Sequence, residues 1–235
     1  MIEGLYLVGS VALGDFQPGR SDIDFIALIP RRLSPAALRA VEAVHRQLAM
    51  EAGAVFDGFY IDRPSLGRPP DPNRVLPYEL MGRFHRRSAC FEANPVTWRI
   101  WHDHAVVVRG PAPATLDLCI DPTALARFEQ ENLAGYWTDW VVRHWAGPAD
   151  AGVAASGVLG VLRLAHVLTT GQVPSKTAAG RWALQRFASS WHPIIAGALA
   201  THHGDSGSLP LDRYQAALDF VAFVIAETRS DHPLR

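Results

Sequence analysis

The sequence contains little cysteine. Cys90 and Cys119 are the only two cysteines among 235 residues, and they do not form a CxxC pair. This number is too small for a disulfide scaffold and suits a reducing compartment.

Neither sign of charge is in excess, because 22 basic side chains stand against 23 acidic ones and the formal net charge is −1. Proteins that bind nucleic acid or anionic membranes through their overall field carry a clear positive excess. We therefore expect no nucleic-acid partner, and any phosphate binding must be local.

Long hydrophobic runs are also missing. The longest strongly apolar segment, residues 153–168, is too short to span a bilayer and contains Arg163 and His166. The first residues show neither a basic leader nor a long apolar region. We expect a soluble, cytoplasmic protein without a membrane partner.

The hydrophobic periodicity changes along the chain, and this change predicts an α+β fold. The predicted strands are 4–8, 23–29, 53–61 and 105–111. The predicted helices are 35–50, a broken region at 73–102, and then 122–146, 152–170, 175–189, 192–203 and 211–228. We therefore predict an N-terminal domain with a small mixed sheet at 1–115 and an all-α helical bundle at 116–235.

The segment LVGSVALGDFQPGRSDIDFIALI, residues 7–29, carries the chemistry. Gly9 permits a close approach of the backbone to phosphate, and Ser10 adds a hydroxyl. Asp22 and Asp24 are two apart on an extended strand, so both carboxylates point to one face and repel each other. A magnesium ion, which prefers carboxylates and phosphate oxygens, would relieve this repulsion.

A third carboxylate is expected, because phosphoryl and nucleotidyl transfer need a group that takes the hydroxyl proton. Asp57 interrupts the apolar strand VFDGFYI, where a neighbouring strand could place it beside Asp22 and Asp24. The alternative interpretations are ordinary ones, namely a solvated Asp-x-Asp turn and a carboxylate at a strand edge.

Two segments resemble a known family. GSVALGDFQPGRSDID resembles the signature of the DNA polymerase β-like nucleotidyltransferase superfamily. RLAHVLTTGQVPSKTAAGRWALQRFASSWHPII resembles the helical domain of the aminoglycoside adenylyltransferases that modify streptomycin at the 3'' hydroxyl and spectinomycin at the 9 hydroxyl.

The resemblance implies a role for each of several residues. Asp22 and Asp24 would bind magnesium, and Asp57 would take the place of the family's catalytic glutamate. The residues expected to bind ATP are Gly9, Ser10, Ser21, Arg163 and Lys176. For Lys176 a solvated surface position remains an alternative, and for Arg163 the partner could be a ligand phosphate or an acidic side chain.

The sequence also departs from the family. Eleven residues, rather than the commoner ten, separate the Gly-Ser pair from Asp22, and Asp57 is one methylene shorter than glutamate. In the cleft that binds the acceptor, Phe84 stands nearest to the tryptophan of streptomycin-using members, and Val153 stands where they carry an aspartate. These differences favour spectinomycin, or an unrelated alcohol, over streptomycin.

The expected reaction is therefore Mg²⁺-dependent transfer of AMP from ATP to a hydroxyl of an aminocyclitol antibiotic, in a cleft between the two domains of a monomer or weak dimer. The alternatives are a nucleotidyltransferase that acts on a protein or another small-molecule hydroxyl, and a catalytically silent nucleotide-binding relative. Elsewhere, the basic cluster RFHRR at 83–87 is interpreted as a solvated helix face, and the tryptophan pairs 98/101 and 137/140 as helix core.

Overall fold

The computed structural model describes residues 2–51, 55–205 and 209–231. The chain forms two compact units, Met1–Asp121 and Pro122–Arg235, which are described separately below. The domain bounds predicted from the sequence lie six residues earlier and remain a prediction.

The first unit is built on a six-stranded mixed sheet, as the sequence predicts, in the order β5-β4-β3-β2-β1-β6. Strands β2 and β3 are parallel, and the other neighbouring strands are antiparallel. The strands are β1 Gly4–Leu7, β2 Ile23–Ile29, β3 Phe56–Asp62, β4 Val75–Leu80, β5 Arg83–Ala89 and β6 Val106–Arg109. Of the predicted third strand, residues 53 and 54 lie outside the described residues.

Three helices accompany this sheet: α1 Gly9–Ala12, α2 Pro35–Glu51 and α3 Pro95–His104. Ser34 caps α2, because its Oγ accepts the backbone N–H of Ala37 at 3.2 Å. Asn94 caps α3 in the same way. Trp98 and Trp101 of α3 are buried, which confirms their interpretation as helix core.

The predicted helical region at 73–102 is wrong over its first half. Residues 75–89 form the hairpin of β4 and β5 instead, and only α3 remains helical. The turn explains the difference, since Met81 and Gly82 have φ angles of 51° and 74°. Two successive positive φ angles are what a two-residue type I′ hairpin turn requires. The cluster at 83–87 therefore lies on a strand, not on a helix face.

The second unit is helical. Its helices are α4 Pro122–Asn132, α5 Thr138–Trp145, α6 Ala151–Thr170, α7 Lys176–Arg186, α8 His192–His203 and α9 Tyr214–Asp231, with a π-helical turn at Leu133–Trp137. Helix α6 is central, and α7, α8 and α9 pack around it. A Cβ on Gly157 or Gly160 would lie within 2.2 Å of Trp140 or Trp137, so glycine lets α6 pack closely against these rings.

Helix α6 is longer than the apolar segment expected from the sequence. With 20 residues and a mean hydropathy of 1.6 over 18 of them, it could cross a membrane by length and composition alone. Half of its side chains are buried inside the second unit, among them Val158, Leu162 and Ala165. Burial among neighbouring helices is the pattern of a core helix, so its composition is weak evidence for a membrane span.

Candidate active site

The end of β1 brings the backbone of Gly9 against the carboxylate of Asp24. Gly9 has a φ angle of +56°, which disfavours any side chain. A Cβ at this position would lie 1.8 Å from Asp24 Oδ2, where no real atom fits. Only glycine can therefore connect β1 to α1 beside this carboxylate.

The hydroxyl of Ser10 is buried and, in the part of the chain that the structure describes, has no hydrogen-bond partner. Leaving such a group without a partner costs on the order of 1–3 kcal/mol. Ser10 follows Gly9 directly, so this donor lies next to the carboxylate-bearing strand. A phosphate oxygen would satisfy it.

The pairing of β2 with β3 brings two of the predicted carboxylates together. Asp24 and Asp57 are direct partners in the parallel register, so their side chains leave the sheet on one face. Asp22 precedes β2 by one residue and is exposed, whereas Asp24 is half-buried and Asp57 is only 7% exposed. The predicted placement of Asp57 on a neighbouring strand is confirmed, while the chemical roles of all three remain predictions.

Asp57 is held in place by the turn of the β4–β5 hairpin. Its Oδ1 accepts the backbone N–H of Met81 at 2.8 Å. Burial raises the pKa of Asp57, the Met81 hydrogen bond lowers it, and the negative charge of Asp22 raises it again. A carboxyl group with a raised pKa is a better proton acceptor when ionised.

These residues fit a divalent metal and a triphosphate. Asp22, Asp24 and Asp57 supply the oxygen donors that Mg²⁺ prefers, and the influence of Asp22 on Asp57 shows a repulsion that a cation would relieve. Gly9 and the unpaired Ser10 hydroxyl supply the close approach and the donor that phosphates need. Asp22 and Asp24 would hold the metal, with Asp57 beside them.

Ser21 has a structural contact. Its Oγ accepts the backbone N–H of Gln17 at 3.0 Å, and its own N–H donates to the carbonyl of Gln17 at 2.9 Å. This pair of bonds closes the turn that leads into β2. Ser21 therefore positions Asp22, whether or not it also binds nucleotide.

Phe84 lies on the other face of the sheet from Asp24 and Asp57. It pairs across the hairpin with Glu79 and stacks on His45 of α2, with 5.4 Å between the ring centroids. Asp57 and Phe84 are not brought together, and the predicted cleft role of Phe84 stays a prediction.

The sequence reasoning missed a buried polar cluster on this second face, formed by His45, Tyr60 and Glu79. His45 Nε2 lies 2.8 Å from the Tyr60 hydroxyl, and His45 Nδ1 lies 3.8 Å from Glu79 Oε2. The sequence feature that could have indicated this cluster is Glu79, an isolated acidic residue in an apolar strand. The incorrect prediction of a helix at 73–102 prevented this interpretation.

Burial raises the pKa of Glu79 to about 7, with the charges of Asp57 and Glu42 acting in the same direction. Burial also lowers the pKa of His45. Around neutral pH the cluster is therefore close to losing the Glu79 proton.

We expect Glu79→Gln to raise stability in alkaline solution. The pKa of Glu79 is higher in the folded than in the unfolded chain, so its contribution is full below pH 4.5 and is lost as the pH rises through about 7. Glutamine mimics the neutral acid, so the variant should exceed the wild type at pH 8 by roughly 2–3 kcal/mol. Urea unfolding at pH 4.5 and pH 8 measures this.

The exposed Glu131→Gln is the matched control and should show no such gain. Glu129, whose pKa is also about 7, contributes to the pH dependence of wild type and variant alike, so the difference between them isolates Glu79. Equal stability of Glu79→Gln and wild type at pH 8 would show that the carboxyl ionises without penalty.

In the second unit, Arg163 has an acidic neighbour. The buried Glu129 interacts electrostatically with Arg163, and this charge opposes the rise that burial causes in the Glu129 pKa. Arg163 Nε also donates to the Pro174 carbonyl at 3.1 Å. Of the two partners left open by the sequence, the acidic side chain is thus present, and the phosphate remains a prediction.

Lys176 begins helix α7, and it is the only lysine in the sequence. Ser175 caps this helix as expected, since its Oγ accepts the backbone N–H of Ala178 at 3.1 Å. The helix N-terminus carries partial positive charge, so Lys176 and the helix attract anions together.

Comparison with known proteins agrees with this chemistry. Residues 2–53, which contain Gly9, Ser10, Asp22 and Asp24, match the nucleotidyltransferase domain. The chain is a nucleotidyltransferase. Residues 142–227 match the C-terminal domain of aminoglycoside adenylyltransferases. The two matches, one in each unit, support the resemblance to the aminoglycoside adenylyltransferases of the nucleotidyltransferase superfamily that the sequence shows.

A solved structure has a similar fold. It is the spectinomycin adenyltransferase AAD(9) from Enterococcus faecialis, crystallised with ATP and spectinomycin. The TM-score is 0.72 over 96% of this chain and 92% of that chain, and the sequence identity is 12%. At this identity the likeness concerns the fold. A comparison with curated proteins finds no match.

Proposed function

We propose that this protein transfers AMP from ATP to a hydroxyl of an aminocyclitol antibiotic in a Mg²⁺-dependent reaction, with spectinomycin favoured over streptomycin. The observation that carries the proposal is the contact of the Gly9 backbone with the Asp24 carboxylate, with Asp57 opposite on β3 and the buried Ser10 hydroxyl unpaired. Gly9 and Ser10 would bind phosphate, and the neighbouring carboxylates would bind the metal, so the two parts of a nucleotidyl-transfer site lie side by side.

In the proposed reaction the acceptor oxygen attacks the α-phosphorus of ATP, the bond to the β-phosphate breaks, and pyrophosphate leaves. Asp57 accepts the hydroxyl proton, and its raised pKa suits this task. Ser10 donates to a phosphate oxygen, while Asp22 and Asp24 hold the metal. Mg²⁺ bound there would neutralise the charge that develops on the triphosphate.

Two observations favour a small aminocyclitol acceptor. The structurally similar AAD(9) was crystallised with spectinomycin and ATP. By the resemblance of the sequence to the family, Val153 stands where streptomycin-using members carry an aspartate. We propose a cytoplasmic enzyme that acts in antibiotic resistance.

Pyrophosphate release with Mg-ATP across a panel of streptomycin, spectinomycin and related aminocyclitols tests the proposal. We expect release with spectinomycin that disappears with EDTA. A parallel incubation with labelled ATP and lysate tests the protein-acceptor alternative. Label on a protein band, without pyrophosphate release on the aminocyclitol panel, would contradict the proposal and favour a protein acceptor. ATP binding without pyrophosphate release or labelling in either experiment would indicate a catalytically silent relative.

The single lysine offers a second test. If Lys176 contacts the β- or γ-phosphate, Mg-ATP should slow its acylation by an amine-reactive ester at least about tenfold, because the phosphate favours the protonated amine and shields it from the reagent. AMP, which lacks these phosphates, is the matched control and should not protect. Peptide mass spectrometry reads the modified fraction, and the N-terminal amine serves as internal reference. Equal acylation with Mg-ATP and with AMP would remove Lys176 from the phosphate site.

A further inference from the structure

The first unit contains a cavity of about 560 Å³ that the proposed reaction does not use. It lies at the ends of β2 and β3 that are farthest from Asp24 and Asp57, where Ile29 and Asp62 line it. Ile29 lies five positions after Asp24 along β2, which corresponds to about 16 Å at the usual strand rise. The cavity is therefore distinct from the candidate active site.

Arginine dominates the charge of this cavity. Five arginines line it against a single carboxylate, that of Asp62; they are Arg32, Arg68, Arg74, Arg86 and Arg87. The Asp62 carboxylate accepts a hydrogen bond from Ser65, and Arg86 is paired with Glu42 of α2. In the described part of the chain, no carboxylate forms an ion pair with Arg32, Arg68 or Arg87.

Arg74 is fixed in the wall of the cavity. Its guanidinium donates to the carbonyls of Ser65 at 3.3 Å and Pro69 at 2.7 Å, and it lies 5.9 Å from the centre of the Trp98 ring. Burial lowers the pKa of Arg74, and the charge of Arg68 lowers it further, although acidic neighbours oppose this. A bound anion would offset both the lost hydration and the repulsion between the two guanidinium groups.

The remaining wall is mostly apolar, with Leu33, Leu38, Tyr60 and Leu76 among its side chains. The N-terminal end of α2, a helix of 17 residues, also borders the cavity through Pro35. The partial positive charge of this helix end adds to that of the arginines. The volume falls within the range of about 300–1,000 Å³ found for small-molecule sites.

We propose that this arginine cavity, as we call it, is a second binding site for an organic phosphate with an apolar body. A phosphate carries about −1.5 to −2 charges and three acceptor oxygens, so it can engage several guanidinium groups at once. The apolar wall accommodates the carbon skeleton of the ligand. A ligand with one carboxylate in place of the phosphate would carry a single negative charge and would leave most of the positive charge of the arginines unbalanced.

The fluorescent anion 1-anilinonaphthalene-8-sulfonate is a suitable probe, because it joins an anionic group to an aromatic body. We expect saturable binding of one molecule of the probe to the wild type, weakened at least tenfold in the double variant Arg68→Ala/Arg87→Ala. Both side chains are exposed, so the variant should fold, and an unchanged melting temperature verifies this. Saturable binding of equal strength in the double variant would overturn the proposal.

The matched control is Arg31→Ala/Arg39→Ala. It removes the same charge from exposed positions near the cavity that do not line it. Its affinity for the probe should stay within twofold of the wild type. If both double variants lose affinity for the probe equally, the probe responds to the overall charge of the protein, and the proposal of a specific site is contradicted.

Competition identifies the anion class. 1-Naphthyl phosphate should displace the probe from the wild type at lower concentration than 1-naphthoate, which carries the same aromatic body and one carboxylate. Displacement by 1-naphthoate at an equal or lower concentration would overturn the assignment to phosphate. Because no step involves ATP turnover or Mg²⁺, these results are independent of the proposed adenylyl transfer.

Discussion

Asp24→Asn should lower the rate of acceptor-dependent pyrophosphate release by about 10³-fold or more, while the protein stays folded. The amide has the same shape as the carboxylate, so the contact with the Gly9 backbone remains. It loses the negative charge that, in the proposed reaction, would hold the metal, whose contribution to transition-state stabilisation is several kcal/mol. About 4 kcal/mol corresponds to three powers of ten in rate.

Steady-state assays at saturating Mg-ATP, with a thermal melt of each variant, measure this effect. Asp212→Asn makes the same chemical change at an exposed position of the second unit and should keep the wild-type rate. An Asp24→Asn enzyme that retains more than a tenth of the activity would refute the metal assignment for this residue.

If Asp57 is the general base, Asp57→Asn should lower kcat by about 10²–10⁴-fold, the usual contribution of such a group. Asparagine can still accept the Met81 hydrogen bond, so the hairpin turn should keep its position. The wild-type rate should rise with pH through the raised pKa of Asp57, because only the ionised carboxylate accepts a proton. The variant should lack this rise.

Asp57→Glu is the companion variant, because it restores a carboxylate at the length used by the family. It should recover a substantial part of the activity and the pH dependence. Isothermal titration with Mg-ATP separates the two roles left open for Asp57. Unchanged affinity in Asp57→Asn supports the base, whereas a loss as large as that in Asp24→Asn would make Asp57 a metal ligand instead.

The place of this candidate site could be predicted because most of its residues are close in sequence. Gly9, Ser10, Asp22 and Asp24 lie within one strand-turn-strand segment, where spacing determines which side chains share a face. Asp57 was found by its isolation in an apolar strand, and the parallel register of β2 and β3 confirms that it is adjacent to Asp24. Side chains two residues apart on a strand point to the same face, so spacing in the sequence is enough to show which of them can act together.

What the sequence did not predict depends on contacts between distant segments. The sequence of the β4–β5 hairpin predicts a helix, because its turn is Met81-Gly82 and a methionine at positive φ is not an expected turn residue. Without the hairpin, neither the Met81 bond to Asp57 nor the burial of Glu79 beside His45 could be foreseen. The same error hid the arginine cavity, since Arg86 and Arg87 lie on β5.

Mass spectrometry of the acceptor tests the central claim most directly. Spectinomycin incubated with Mg-ATP and the wild-type protein should gain the mass of one adenylyl group, with one pyrophosphate released per product. Asp24→Asn should give neither product. Pyrophosphate or phosphate release without an adenylylated acceptor, or an equal yield of adenylyl-spectinomycin from Asp24→Asn, would contradict the account.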